Sequence, residues 1–186
     1  MHMQLPTHQP IAGQRLLEFS GPQAKLIIWA HNTHIGDARY TDMAAEGMVN
    51  IGQLVREAYG EENVYAVGFG PYRGSVTAAY DWGGSIETMT VPPAKRGSWE
   101  EQLHRISAAN KLLISKELQS IPGLSQSIGH RAIGVQYNPG SERGNYIPSV
   151  IPSRYNAFLF IDRTTALQPL PIGVKNEPPD TYPLGY

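Results

Sequence analysis

Residues 25–39 read Lys-Leu-Ile-Ile-Trp-Ala-His-Asn-Thr-His-Ile-Gly-Asp-Ala-Arg. Two imidazoles (His31, His34), a carboxamide (Asn32), a carboxylate (Asp37) and a guanidinium (Arg39) follow directly on an apolar run. An imidazole titrates near neutral pH, so it can take or give a proton during attack of water on an ester. Aimed correctly, its N–H can also stabilise a developing oxyanion. Asp37 could fix an imidazole tautomer, and Arg39 could bind a polar substrate group. The plainer alternative for that pair is a loop salt bridge of small energetic value. Asn32 could donate through its amide or cap the local backbone. Residues three apart in a continuous strand face opposite ways. His31 and His34 therefore converge only if the chain turns at Asn32-Thr33, as the following Gly36 suggests. Otherwise one histidine is buried and the other exposed.

Other words carry weaker chemistry. In Asp81-Trp82-Gly83-Gly84, Trp82 could wall an apolar pocket with Asp81 beside it, or the four residues could form only a hairpin turn. His31, His34, Asp37 and Asp81 could in principle ligate a metal, but their spacing fits no strong zinc motif. There is no cysteine, which excludes disulfides, thiolate metal sites and a cysteine nucleophile. No Gly-x-Ser-x-Gly word occurs, which disfavours a serine nucleophile elbow. The glycine-rich stretch Gly68–Gly74 lacks the Lys-Ser/Thr ending of a phosphate loop. Glu142, Arg143 and Tyr146 could line a cleft but read more simply as a solvated loop, and Asp162, at a strand's carboxyl end, could face the site or cap the next turn.

The elements that must position these groups follow from periodicity. Residues 11–19 form a short helix stopped at Gly21-Pro22. Lys25–Ala30 reads as a buried strand, because it is apolar and β-branched without alternation. Residues 37–47 form a loop with a helical turn. Asn50 caps a helix whose apolar face is Ile51, Leu54, Val55 and Ala58, with Gln53 placed for a capping box and Gly60 as its stop. Strands are expected over residues 63–70, 75–81, 86–91, 132–137 and 155–162. A helix is expected over Trp99–Ile106, capped by Ser98, and Lys111–Lys116 is either strand or helical turn. The fold class is a mixed α/β architecture, with a mainly parallel sheet flanked by helices.

The chain has 186 residues and a net charge of −1, so one domain with a sizeable core is expected and no strong field steers it to nucleic acid or anionic membrane. No apolar run reaches membrane-spanning length. Met1–Pro10 lacks the apolar stretch of a secretory signal, which makes a cytoplasmic location the default expectation. Three parts are expected: residues 1–20 as an amino-terminal segment with a short helix, 21–172 as the α/β domain, and 173–186 as an extended proline-rich tail.

The motif His31-Asn32-x-His34-Ile35-Gly36-Asp37-Ala38-Arg39, with Thr41-Asp42-Met43, Asn50–Glu57 and Tyr59-Gly60, resembles the erythromycin esterase family. Asp81-Trp82-Gly83-Gly84, Ala132–Val135, Tyr155-Asn156-Ala157, Ile161-Asp162 and Pro179–Pro183 extend the resemblance in order along the chain. It implies hydrolysis of an ester or lactone without metal or cofactor. His31 and His34 would be the catalytic pair, with Asn32, Asp37, Arg39, Asp81 and Trp82 supporting or binding substrate. It also implies a longer protein, whose amino-terminal half carries a further histidine and acidic residues and supplies the general base. The chain is then expected to meet an amino-terminal half or to self-associate, and to be weak alone. The rival expectation is a non-catalytic binding or assembly module.

Overall fold

The computed structural model describes residues 12–169, so the expected tail over 173–186, the resemblance at Pro179–Pro183 and the first eleven residues of the amino-terminal segment lie outside the described residues. Helix α1 (Ala12–Ser20) ends at Gly21, whose φ of 92° only glycine adopts readily. Next comes an extended stretch, then the short helix α2 (Asn32–Ile35) and two 3-10 turns, Ala38–Tyr40 and Asp42–Ala44. Helix α3 (Ile51–Tyr59) begins where the Asn50 side chain accepts the Gln53 N–H, and Gly60 closes it at φ 82°. Gln53 turns its own amide to Glu57, so only half of a capping box forms.

The strands are β1 (Val67–Ala78), β2 (Glu87–Val91), β3 (Lys111–Ile114), β4 (Ile128–Arg131), β5 (Tyr146–Ser149) and β6 (Ala157–Thr164). Helix α4 (Trp99–Ile106) and two short helices, α5 (Ser115–Leu118) and α6 (Ile151–Arg154), lie between them. One sheet has the order β2-β1-β6-β3, and β4 pairs with β5 in a second. Among the paired strands of the described residues, β1 and β6 run parallel, with Val67 opposite Ala157; β1–β2, β3–β6 and β4–β5 are antiparallel. The sheet is mixed as expected, but the mainly parallel sheet is corrected. Parallel neighbours need long crossovers, whereas β1 reaches β2 through one short loop.

Two strand assignments are corrected. Lys25–Ala30 is not a buried strand. It has no strand partner among the described residues, and Ile27 and Trp29 are 88% and 94% exposed. Strand propensity cannot bury a segment that has no neighbour to pair with. Residues 132–137 are irregular apart from a single bridge between Gln136 and Ala79; pairing occurs one step earlier, in β4. There His130 and Arg131 are buried because each has a partner, so their polarity hides the strand in the sequence.

The main core lies on one face of the larger sheet. Phe158 and Phe160 of β6 pack with Trp99 and Leu103 of α4, and with Ile151 and Tyr155. Each such side chain contributes roughly 1.5–3 kcal/mol when fully buried. Gly68 and Gly70 let β1 approach this layer: a Cβ at Gly70 would lie 2.5 Å from the Phe158 ring. Ser98 caps α4 by accepting the Glu101 N–H, and the Trp99 indole donates to the Ser149 carbonyl at 2.8 Å.

Candidate active site

The chain does turn at Asn32-Thr33. His31 is the N-cap of α2, and the rings of His31 and His34 stand 6.3 Å apart, edge to face. His31 Nε2 lies 2.8 Å from the Ile133 carbonyl, which can only accept, so the proton sits on Nε2. Nδ1 is then the lone-pair nitrogen, and it receives the Thr33 hydroxyl at 2.8 Å and the Thr33 N–H at 3.3 Å. Burial pushes the His31 pKa below its ordinary value. The Ile133 carbonyl opposes this shift, while His34, His130 and Arg154 reinforce it. The His34 backbone N–H donates to the His31 carbonyl at 2.8 Å, while its side chain is exposed and makes no hydrogen bond to a described residue.

Asn32 serves the backbone. Its Nδ2 donates to the Phe69 carbonyl at 2.6 Å and its Oδ1 accepts the Phe69 N–H at 3.2 Å, as a paired strand residue would. Strand β2 covers β1 only from Gly74 onward, so Asn32 fills an otherwise unpaired edge. Pro71 brings no N–H to that edge, and its carbonyl takes Arg131 Nη1 at 3.0 Å. Behind Asn32, its Nδ2 is 3.4 Å from His130 Nε2, and His130 Nδ1 is 2.7 Å from Glu100 Oε1.

His31, Asn32, Phe69, Ile133, Ile161 and Leu167 are among the residues that line a cleft of about 390 Å³. Its lining is largely apolar. Arg131 borders it but has no donor to spare, since its guanidinium is taken by Tyr146, Glu142 and the carbonyls of Pro71, Tyr72 and Pro92. Glu142 also accepts the Tyr137 hydroxyl at 2.5 Å, so Glu142 and Tyr146 belong to this bonded group rather than to a solvated loop. Burial, with Glu142 and Glu100 adding to it, raises the Tyr146 hydroxyl to about 12.

The remaining candidates lie apart. Asp37 is fully buried, and its carboxylate bonds the Arg39 N–H and guanidinium (2.7–3.2 Å) and Arg56 Nη1 (3.1 Å). Burial alone would raise its pKa; the bonds from Arg39 and Arg56 outweigh that and hold it below the ordinary carboxylate value. Neither Asp37 nor Arg39 touches an imidazole. Asp81 and Trp82 sit on an exposed turn, Trp82 at 81%, and neither lines the cleft. Among the described residues, no three His, Asp or Glu side chains come together as a metal site.

The erythromycin esterase sequence pattern matches residues 12–164. The chain belongs to the erythromycin esterase family. Two solved structures share the fold of this family member. A succinoglycan biosynthesis protein superposes with a TM-score of 0.56 at 23% identity, covering 74% of this chain and 32% of the other. A Bacillus cereus protein gives 0.58 at 14% identity, covering 74% and 33%. The chain thus spans about a third of the length of either structure.

Glu100 and His130 were invisible as site residues in the sequence. Glu100 reads as an ordinary acidic residue in a helix's first turn, favourable there on dipole grounds alone. His130 belongs to no word that marks it. Only the register of β4 brings the two together.

Proposed function

We propose that this chain is the carboxyl-terminal part of an erythromycin esterase-like hydrolase, directing water at an ester or lactone carbonyl. The observation that carries this reading is two imidazoles on one helical turn, with one of them on the wall of an apolar cleft. His34 has open ring nitrogens and handles the proton. His31 carries Nε2–H and supplies it to the developing oxyanion, exchanging the Ile133 carbonyl for the substrate oxygen. Asn32 positions the turn. The cleft offers no free charged group, which favours an uncharged and mostly apolar substrate. Asp37 and Arg39 act at one remove, by holding the segment that follows the turn.

The general base comes from polypeptide beyond this chain, and the exposed apolar stretch at residues 25–30 is where that polypeptide would pack. The purified chain is therefore expected to hydrolyse aryl esters and macrocyclic lactones weakly or not at all. Robust turnover lost on His31→Ala would overturn the need for a second part. Failure of the chain to gain activity when combined with the amino-terminal part of a family member would count against hydrolysis itself.

The exposed apolar stretch at residues 25–30 also favours a second reading, a non-catalytic module that assembles through that surface. Sedimentation separates it from the first: a strict monomer at tens of micromolar argues against assembly.

A further inference from the structure

Glu100 and His130 are both without solvent exposure, one in the first turn of α4 and the other on β4. A buried carboxylate and imidazole are costly unless paired and bonded, so their partners are informative. Glu100 Oε1 accepts from His130 Nδ1 at 2.7 Å and from the Arg131 N–H at 3.0 Å. Glu100 Oε2 is buried without a hydrogen-bond partner. A carboxylate only accepts, so the imidazole proton belongs on Nδ1 and Nε2 keeps its lone pair.

That lone pair faces Asn32 Nδ2 at 3.4 Å. The amide nitrogen has two hydrogens, and the other goes to the Phe69 carbonyl. The Phe69 N–H returns to Asn32 Oδ1, which fixes the amide's orientation. With the His130 proton moved to Nε2, two donors would oppose each other. Turning the amide over to relieve this would set its N–H groups against the Phe69 N–H. The Asn32 backbone carbonyl is also held, by Arg154 Nη2 at 3.2 Å and the Tyr155 hydroxyl at 3.3 Å. Asn32 opens the helical turn that His31 caps, so its side-chain anchor bears directly on His31.

We infer that Glu100 and His130 are positioning residues for the cleft: the carboxylate keeps the His130 proton on Nδ1, and the Nε2 lone pair holds Asn32 and the His31 turn against β1. The functional part of this inference rests on the esterase reading; the coupling itself does not.

Two substitutions separate this from simple core filling. In His130→Gln the side-chain amide reaches the Nε2 position and can still accept from Asn32. In His130→Asn it reaches only the Nδ1 position, keeping the donor to Glu100 and losing Asn32. The readout is a long-range proton–nitrogen correlation spectrum of the imidazoles in the full ¹⁵N-labelled chain. Wild type is expected to show His130 as the Nδ1–H tautomer and His31 as Nε2–H. The His31 pattern survives in His130→Gln and is lost to tautomer averaging in His130→Asn. A core-filling role, in which the Glu100 contact matters, gives the reverse order. A His31 pattern unchanged in His130→Asn, or lost in both folded variants, overturns the proposal. The wild-type spectrum needs no variant, and His130 protonated on Nε2 overturns it too. A chain that never hydrolyses an ester would sink the esterase reading and leave this coupling standing.

Discussion

Asp37→Asn separates a structural from an orienting role for this carboxylate. Asp37 is fully buried and faces two guanidinium groups with unequal alternatives. Arg39 has a side chain 37% exposed and also reaches Glu61 at 3.1 Å, so it loses little when Asp37 is neutralised. The Arg56 side chain is 5% exposed and keeps only neutral acceptors, the Ser153 carbonyl at 2.9 Å and Asn156 Oδ1 at 3.0 Å. Removing one partner of a buried pair costs about 3–5 kcal/mol, and these two remaining acceptors place the loss near the lower end, at about 3 kcal/mol. For a chain of this size that corresponds to a fall in Tm of roughly 6–12 °C. Arg39→Ala serves as the comparison and should cost less than Asp37→Asn, because Arg56 still faces the buried carboxylate. The pH dependence has a definite sign. The folded carboxyl is held below its unfolded value, so Asp37 contributes stability above about pH 4 and loses it as pH falls through the lower folded value. Urea unfolding at pH 7 and at steps down to pH 3 should show the gap between wild type and Asp37→Asn closing with acid. A variant within about 1 kcal/mol of wild type at pH 7 would refute the reasoning. So would a variant of unchanged stability whose His31 resonances move, since that is the behaviour of a residue orienting the imidazole.

Replacing both Ile27 and Trp29 by Lys should leave thermal stability nearly unchanged, because both side chains are bare; on the assembly reading it should also abolish concentration-dependent association in sedimentation velocity. The His31 titration midpoint, followed by NMR, should lie below 6.5. The unfolded chain binds that proton first, so this residue lowers stability as pH falls through the window beneath 6.5; a midpoint above 6.5 would contradict the burial of the ring. Gly52→Ala should destabilise by about 2 kcal/mol, because the added Cβ would meet the Ile35 carbonyl oxygen at 2.2 Å, backbone against backbone. Gly134→Ala, with nothing within 4 Å, should stay within about 0.5 kcal/mol of wild type in the same unfolding assay.

The elements that depend on local signals were legible in the sequence. The Asn50 cap and Gly60 stop bound α3, and Ser98 with the apolar pair Trp99 and Leu103 marks α4. Lys111–Lys116 was ambiguous because it is both things, β3 followed immediately by the turn α5. Elements set by distant partners were not legible. Residues 63–70 and 75–81 read as two strands, yet they share one continuous β1, because β6 pairs across the glycines and Pro71 between them. Strand β5 was missed altogether, since Tyr-Ile-Pro-Ser carries a proline that only an edge position tolerates. The site divides in the same way. The His31-Asn32-x-His34 turn could be read from spacing and Gly36, whereas Glu100 and His130, far apart in the chain, could be paired only by the fold.

Several buried polar and charged side chains each send at least one bond to the same backbone, beside bonds elsewhere such as Arg131 to Pro92, Arg56 to Asn156 and Arg154 to Ser149. Arg154 reaches the Asn32 carbonyl, Asn50 reaches the carbonyls of Thr33 and Gly36, and Arg56 reaches Asp37. Arg131 reaches the carbonyls of Pro71 and Tyr72, and His130 reaches Asn32 itself. All of these contacts fall on two stretches, residues 32–37 and the uncovered edge of β1. Regular pairing would otherwise satisfy such backbone groups, and here it is absent. An apolar core of Phe158, Phe160 and Trp99 could hold a sheet without any of them, and buried ionic groups add little net stability over apolar packing. Their convergence is therefore better explained by the need to hold an irregular, imidazole-bearing turn in one place at a cleft. On that account, substitutions of Arg154, Arg56 or Arg131 should disturb the His31 environment along with stability, whereas an apolar truncation such as Leu103→Ala should lower stability by about 2–5 kcal/mol and leave the His31 resonances in place.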